Sequence, residues 1–194
     1  MRDSRIFDDE PPVDDISDEL AQRQFDANWR DWCAGGPKDG GYTRQGAGIA
    51  LTPPRLTVKR LATLRPTDLM AKNAREFSLW HVAFLQAYLA GQKLTETAYF
   101  QEYLRARLSK QESSDRAGKF IELFEDVRQN GVRLPARVAD VSRVVHFPFF
   151  RFDGAHRTAC AHVLGVKSVS AIVYATTGGE AGPLTRWIRG RSVR

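Results

Sequence analysis

The stretch that most limits what this chain can fold into runs from Phe149 to Gly165, FFRFDGAHRTACAHVLG. It opens on Phe149, Phe150 and Phe152 around Arg151, a strand composition. Asp153-Gly154 then supplies turn chemistry, small residues follow as a helix, and Gly165 is placed to end it. Apolar residues resume at Val166 and run through Val169 to Tyr174 as a further strand. A helix that begins at such a turn has N–H groups without intrahelical acceptors and a positive dipole end, so it favours an anion. Gly154 admits close approach because no Cβ stands in the way. Arg157 offers a permanent charge with a fork that matches phosphate oxygens. His156 offers a hydrogen bond or a proton near neutral pH. Asp153 can cap the helix, hold Mg²⁺ or take a proton from a substrate hydroxyl. The same residues also have a purely structural reading, with Asp153 capping, His156 packed and Arg157 in solvent.

The remaining chain is judged by whether it can serve this turn. Residues 1–20 form an acidic tail with Pro11-Pro12 and little to bury. Asp18 to Cys33 fits a helix with Leu20, Phe25, Trp29 and Trp32 apolar, and 34–48 is a glycine-rich connector without a phosphate-loop pattern. Residues 55–62 are expected as a strand that leads into a turn at Arg65-Pro66. Three helices follow. The first, 76–90, carries Phe77, Trp80, Phe84 and Tyr88 on one stripe with Val82, Leu85 and Leu89 beside it, and places His81 as a half-buried surface residue. The second spans about 95–109 with Tyr99, Tyr103 and Leu104 inward. The third spans about 114–129, capped by Ser114 and stopped by Asn130-Gly131. Pro135–Ala139 and Arg143–Phe147 are strand candidates around an Asp140 turn, and Thr176–Gly179 is a loop after the final strand.

Length and composition set the outer bounds. A chain of 194 residues, 42% hydrophobic and 27% charged, suits one globular domain after the tail, over 21–194. Two cysteines, Cys33 and Cys160, make neither a disulfide framework nor a zinc site and fit a reduced, cytoplasmic setting. Cys160, one turn beyond Arg157, is expected as a small core residue. His146 and His162 complete no HxxxH or HExxH pair. No apolar run approaches the length of a membrane span, and the acidic start is not a secretory signal. The net charge of +6 hides an asymmetry: residues 1–20 carry eight acids against Arg2 and Arg5, which leaves the rest at +12. A body so basic suits a phosphorylated ligand or a polyanion, or simply a solvated Arg- and Lys-rich surface, and the Arg-rich stretch 186–194 with Trp187 fits a loosely docked end better than a contact for nucleic acid or an acidic partner.

Phe152-Asp153-Gly154-Ala155-His156-Arg157-Thr158-Ala159, followed by Leu164-Gly165 and a strand, resembles the nucleotide-binding motif of the ParB/sulfiredoxin-like superfamily. Leu56 to Asp68, with its Arg65-Pro66 turn, is similar to that superfamily's first strand. The likeness covers 55–69 and 131–175. It implies an α+β fold, a mixed sheet with a helical segment (about 76–130) inserted between the first strand and the nucleotide motif. Sulfiredoxins carry Cys immediately before His-Arg, where this chain has Ala155, and ParB proteins carry a DNA-binding domain beyond the motif, where about 20 residues follow Tyr174. The Asp-Gly-x-His-Arg form is nearest the free serine kinase-like branch.

By that resemblance Gly154, Ala155, His156, Arg157 and Thr158 would hold the phosphates of ATP or ADP, or of CTP. Asp153 would serve the metal, Mg²⁺, or the substrate, with His156 as a further catalytic candidate. Asp68, just after the first strand, would be the acidic base, with Glu76 as the second candidate. The implied activity is a nucleotide-dependent phosphotransferase acting on a small hydroxyl-bearing metabolite. Two other readings stand beside it: a ParB-like nucleotide- and DNA-associated protein or nuclease, and a non-catalytic domain whose helical segment binds a partner.

Overall fold

The structure is a computed structural model, and it describes residues 17–33, 52–69, 75–144 and 149–179. The expected tail through residue 16, the 34–48 connector, His146 and the basic stretch 186–194 lie outside the described residues, as do the side chains of Trp32 and Phe77. The elements are α1 (Asp18–Cys33), β1 (Arg55–Leu64), α2 (Pro66–Leu69), α3 (Arg75–Leu89), a 3-10 turn (Leu94–Glu96), a π-helix (Tyr99–Leu104), α4 (Lys110–Asn130), β2 (Ala136–Asp140), β3 (Phe149–Asp153), α5 (Ala155–Val163) and β4 (Val169–Thr177).

The fold is mixed α+β, built on a four-stranded mixed sheet in the order β1-β4-β2-β3. β4 pairs antiparallel with β1 and parallel with β2, and β2 pairs antiparallel with β3. Strand alternation gives the sheet two apolar faces. Ala139, Phe150, Phe152, Ile172 and Tyr174 pack under Ala21, Phe25 and Trp29 of α1. Phe25 lies edge-on to Phe150 and Phe152, with ring centroids 5.7 Å apart in both cases. Val138, Val169, Ala171 and Val173 pack on the other face beneath Ala161 of α5 and Leu69 of α2.

α5 is covered on both sides. Ala161 meets the sheet, while Ala159 and Cys160 join the aromatic cluster of α3, the π-helix and α4. A helix held between two layers has room only for small side chains, which explains Thr158-Ala159-Cys160-Ala161, all buried. Cys160 is the expected core residue, and burial pushes its thiol up to about 12. The inserted helices are therefore the outer wall of the motif helix rather than a separate layer.

Several local expectations are corrected. The second helix of the insert is not α-helical: Arg105 N–H reaches back five residues to Phe100 O at 3.0 Å, in the wider π geometry. The third helix starts earlier than Ser114. Ser109 caps it, accepting from Glu112 N at 3.3 Å while the Glu112 carboxylate accepts from Ser109 N at 2.9 Å. The expected turn at Asp140 is made, its Oδ1 accepting from Ser142 N and Oγ; 142–144 lie in that turn, and the rest of the expected strand Arg143–Phe147 lies outside the described residues. β4 runs on through Thr176, whose hydroxyl donates to Asp140 O, so Thr176 and Thr177 belong to the strand and not to a loop.

Candidate functional site

The turn from β3 into α5 is set by Gly154. Its φ of +83° lies in the left-handed region, and a Cβ there would stand 3.0 Å from both Cα and Cβ of Ala136. Glycine is therefore required twice, by conformation and by contact. Gly154 caps α5 without a side chain, so the expected Asp153 cap is not made. The Gly154 carbonyl accepts from Thr158 N at 3.0 Å and from Thr158 Oγ1 at 2.7 Å. Thr158 is thus committed to closing the first turn. By helix geometry the first N–H groups of α5 must find their partners outside the helix, at an end where Gly154 adds no side chain.

Asp153, Arg137 and Arg157 form a buried ionic triad beneath the turn. Asp153 Oδ2 accepts from Arg137 Nη1 and lies 3.6 Å from Arg157 Nη2. Arg157 Nη2 also donates to Pro135 O at 3.2 Å. Arg157 is therefore not the solvated residue of the structural reading. It ties α5 to the segment that leads into β2. Burial lowers its pKa to about 10, which still leaves it charged at neutral pH.

His156 faces the insert. Its ring centroid is 4.2 Å from that of His81 and 4.7 Å from that of Phe120, both edge-to-face. Its Nε2 is shut off from solvent although the residue as a whole is half-buried. Burial first, and then the positive charges of Arg151 and Arg116, push its pKa down to about 3. The expectation of a proton donor near neutral pH is corrected: at pH 7 His156 is a neutral imidazole. His81 is corrected too. It is fully buried, with Tyr99 and Tyr103 from the π-helix at 5.3 and 6.0 Å closing over it.

α2 packs against both α5 and β3, which brings the Arg65-Pro66 turn to the same side of the sheet as the motif. Arg151, buried in β3, donates Nη1 to Leu69 O at 3.2 Å and ties the end of α2 to the strand. Asp68 accepts from Arg65 Nη2 at 2.9 Å and Nε at 3.0 Å. The Arg65 hydrogen bonds hold its carboxyl below the usual range, so it is ionised at neutral pH and a weak base. Glu76 lies in the first turn of α3, and its side chain is outside the described residues. Among the described residues no three His, Cys, Asp or Glu come together as a metal-binding group.

Sequence reasoning gave Arg137, Arg151, Arg116 and His81 no place at the site. Two of them carried a signal. Arg137 and Arg151 each interrupt a buried apolar strand, and a charge in that position needs a built partner. Arg116 and His81 carried none, since each reaches the motif only through the packing of the insert. No protein-family model, no curated protein and no solved structure matches this chain.

Proposed function

We propose that the chain is a nucleotide-dependent phosphotransferase of the ParB/sulfiredoxin-like kind, acting on a small hydroxyl-bearing metabolite with ATP or ADP as the nucleotide. The observation that carries the reading is the Gly154 junction: a strand, a left-handed glycine without a side-chain cap, and a helix that begins there with its positive dipole end at the turn. Phosphoryl transfer needs mainly positioning and charge stabilisation. In this reading the N-terminus of α5, at Gly154 and Ala155, holds phosphate. The Asp153–Arg137–Arg157 triad keeps the turn rigid, and Thr158 closes it. Asp68 and Glu76 remain the acidic candidates on the α2–α3 side. Asp153 does not fit a metal ligand, because two guanidiniums already claim its carboxylate. Mg²⁺ would enter with the nucleotide's own phosphates and neutralise part of their charge.

The test is Ala155→Asp. A carboxylate in the first helical turn suits the helix dipole by ~0.3–1 kcal/mol, yet it repels phosphate at the same helix end. Titration calorimetry of ATP, ADP and CTP with Mg²⁺ should give binding to the wild type and at least tenfold weaker binding to the variant, with no loss of Tm. If the wild type binds no nucleotide, the proposal fails. Equal binding by the variant removes the α5 N-terminus from it.

A further inference from the structure

β1 is a long edge strand, and past Leu56, whose N–H Gln22 takes, its outer side meets no strand among the described residues. On its inner side it pairs with β4. Val58 and Leu61 are 78% and 72% exposed on it, although both are strand-forming apolar residues. Between 55 and 65 the chain carries Arg55, Lys59, Arg60 and Arg65 and no acid. An open apolar edge is a site for pairing with another extended segment. A second copy is a poor occupant. Antiparallel β1 strands would set Lys59 and Arg60 against like charges, which is destabilising.

The complementary segment is in the chain itself. Residues 1–16 carry six acids (Asp3, Asp8, Asp9, Glu10, Asp14, Asp15) against Arg2 and Arg5, a side-chain charge of −4 that meets the +4 of 55–65. Within that stretch Arg65 is already held by Asp68 and Lys59 by Asp18, so Arg55 and Arg60 are the charges that the segment would chiefly meet. Residues 1–16 also carry Ile6, Phe7, Val13 and Ile16. Their point of attachment is at the strand: Asp18 Oδ1, in the first turn of α1, accepts from Lys59 Nζ at 3.3 Å. Gln22 holds the start of β1 to α1, with Oε1 accepting from Leu56 N at 2.7 Å. From Asp18 back to Glu10 the chain can reach ~26 Å, and β1 is ~33 Å long with Lys59 near its middle. Pro11-Pro12 falls within that connecting stretch, where no ladder donor is needed.

We propose that the acidic N-terminal segment docks in cis along the open edge of β1, with residues 3–10 beside 55–64, apolar side chains over Val58 and Leu61, and carboxylates beside Arg55, Lys59 and Arg60. The segment then acts as a built-in guard of an edge that would otherwise pair with other chains or collect polyanions.

The test uses the full chain. Hydrogen exchange of the β1 amides is compared between the wild type and a variant with Asp8→Asn, Asp9→Asn and Glu10→Gln. Exchange across 55–64 should be at least tenfold faster in the variant, and in the wild type it should quicken at 0.5 M salt. Carbodiimide coupling on a mixture of light and isotopically heavy protein adds geometry. Carboxylates of residues 3–10 should join Lys59 within one isotope class, with the Asp18–Lys59 link as the internal standard. Equal β1 exchange in the two proteins overturns the proposal. So do mixed-isotope links, which assign the edge to a second copy, and β1 protection that appears only on adding duplex DNA, which assigns it to nucleic acid.

Discussion

Acid should weaken this fold through one imidazole. His156 has a pKa of about 3 in the folded chain, against the ordinary value of 6.5 that it regains on unfolding. Between those values the unfolded state binds the proton and the folded state refuses it, so stability rises with pH across the window. At ~1.36 kcal/mol per unit, a drop from pH 7 to pH 5 costs about 2 kcal/mol through this residue alone. The groups that face it resist relief. Arg151 from β3 and Arg116 from α4 repel a second positive charge, while His81 and Phe120 offer rings rather than carboxylates. Urea denaturation of the wild type and His156→Gln at both pH values isolates the effect, because other titrating groups are common to the two proteins. The wild type should lose about 2 kcal/mol more than the variant between pH 7 and pH 5. Equal losses would show that the proton is accommodated and that His156 is not held neutral by its surroundings.

Two further substitutions probe what holds the motif and its wall. Asp153→Asn leaves Arg137 and Arg157 buried beside a neutral group and should cost ~3–5 kcal/mol in urea denaturation, whereas a loss below ~1 kcal/mol would mean that the triad is already solvated. Ser109→Ala removes the α4 cap and should lower Tm by roughly 2–4 °C in calorimetry, with an unchanged Tm removing the capping box as a source of stability.

The sequence was legible where a short-range rule operated. The helix Asp18–Cys33, the β3–Gly154–α5 junction and the stop at Gly131 rest on periodicity, turn residues and left-handed glycines, which are local. The helical insert was legible as apolar stripes but not in its details. Nothing in Tyr99–Leu104 marks a π turn, and Ser114 competes with Ser109 as a cap until Glu112 is seen to reach back. The electrostatic character of the site was the least legible part. Asp153, His156 and Arg157 stand out in the sequence, but their states depend on Arg137 sixteen residues before Asp153, on Arg116 and His81 in the insert, and on burial. Spacing within a motif cannot report what a distant element presses against it.

Those states narrow the chemistry that the turn can perform. A neutral His156 behind Phe120 and an Arg157 spent on Asp153 and Pro135 O are poor candidates for proton transfer or for a free phosphate clamp. In the proposed function the turn acts through the N-terminus of α5, which needs no titration and whose backbone Gly154 fixes. In the proposed reaction acid–base work falls to the α2–α3 side, where Asp68 is ionised and tethered to Arg65. Because Arg151 fastens Leu69 to β3, that side is set relative to the α5 N-terminus by a buried hydrogen bond. Arg151 thus links the two halves of the proposed site. Its replacement should lower turnover with less effect on nucleotide affinity, since that N-terminus stays in place while the acidic side is released.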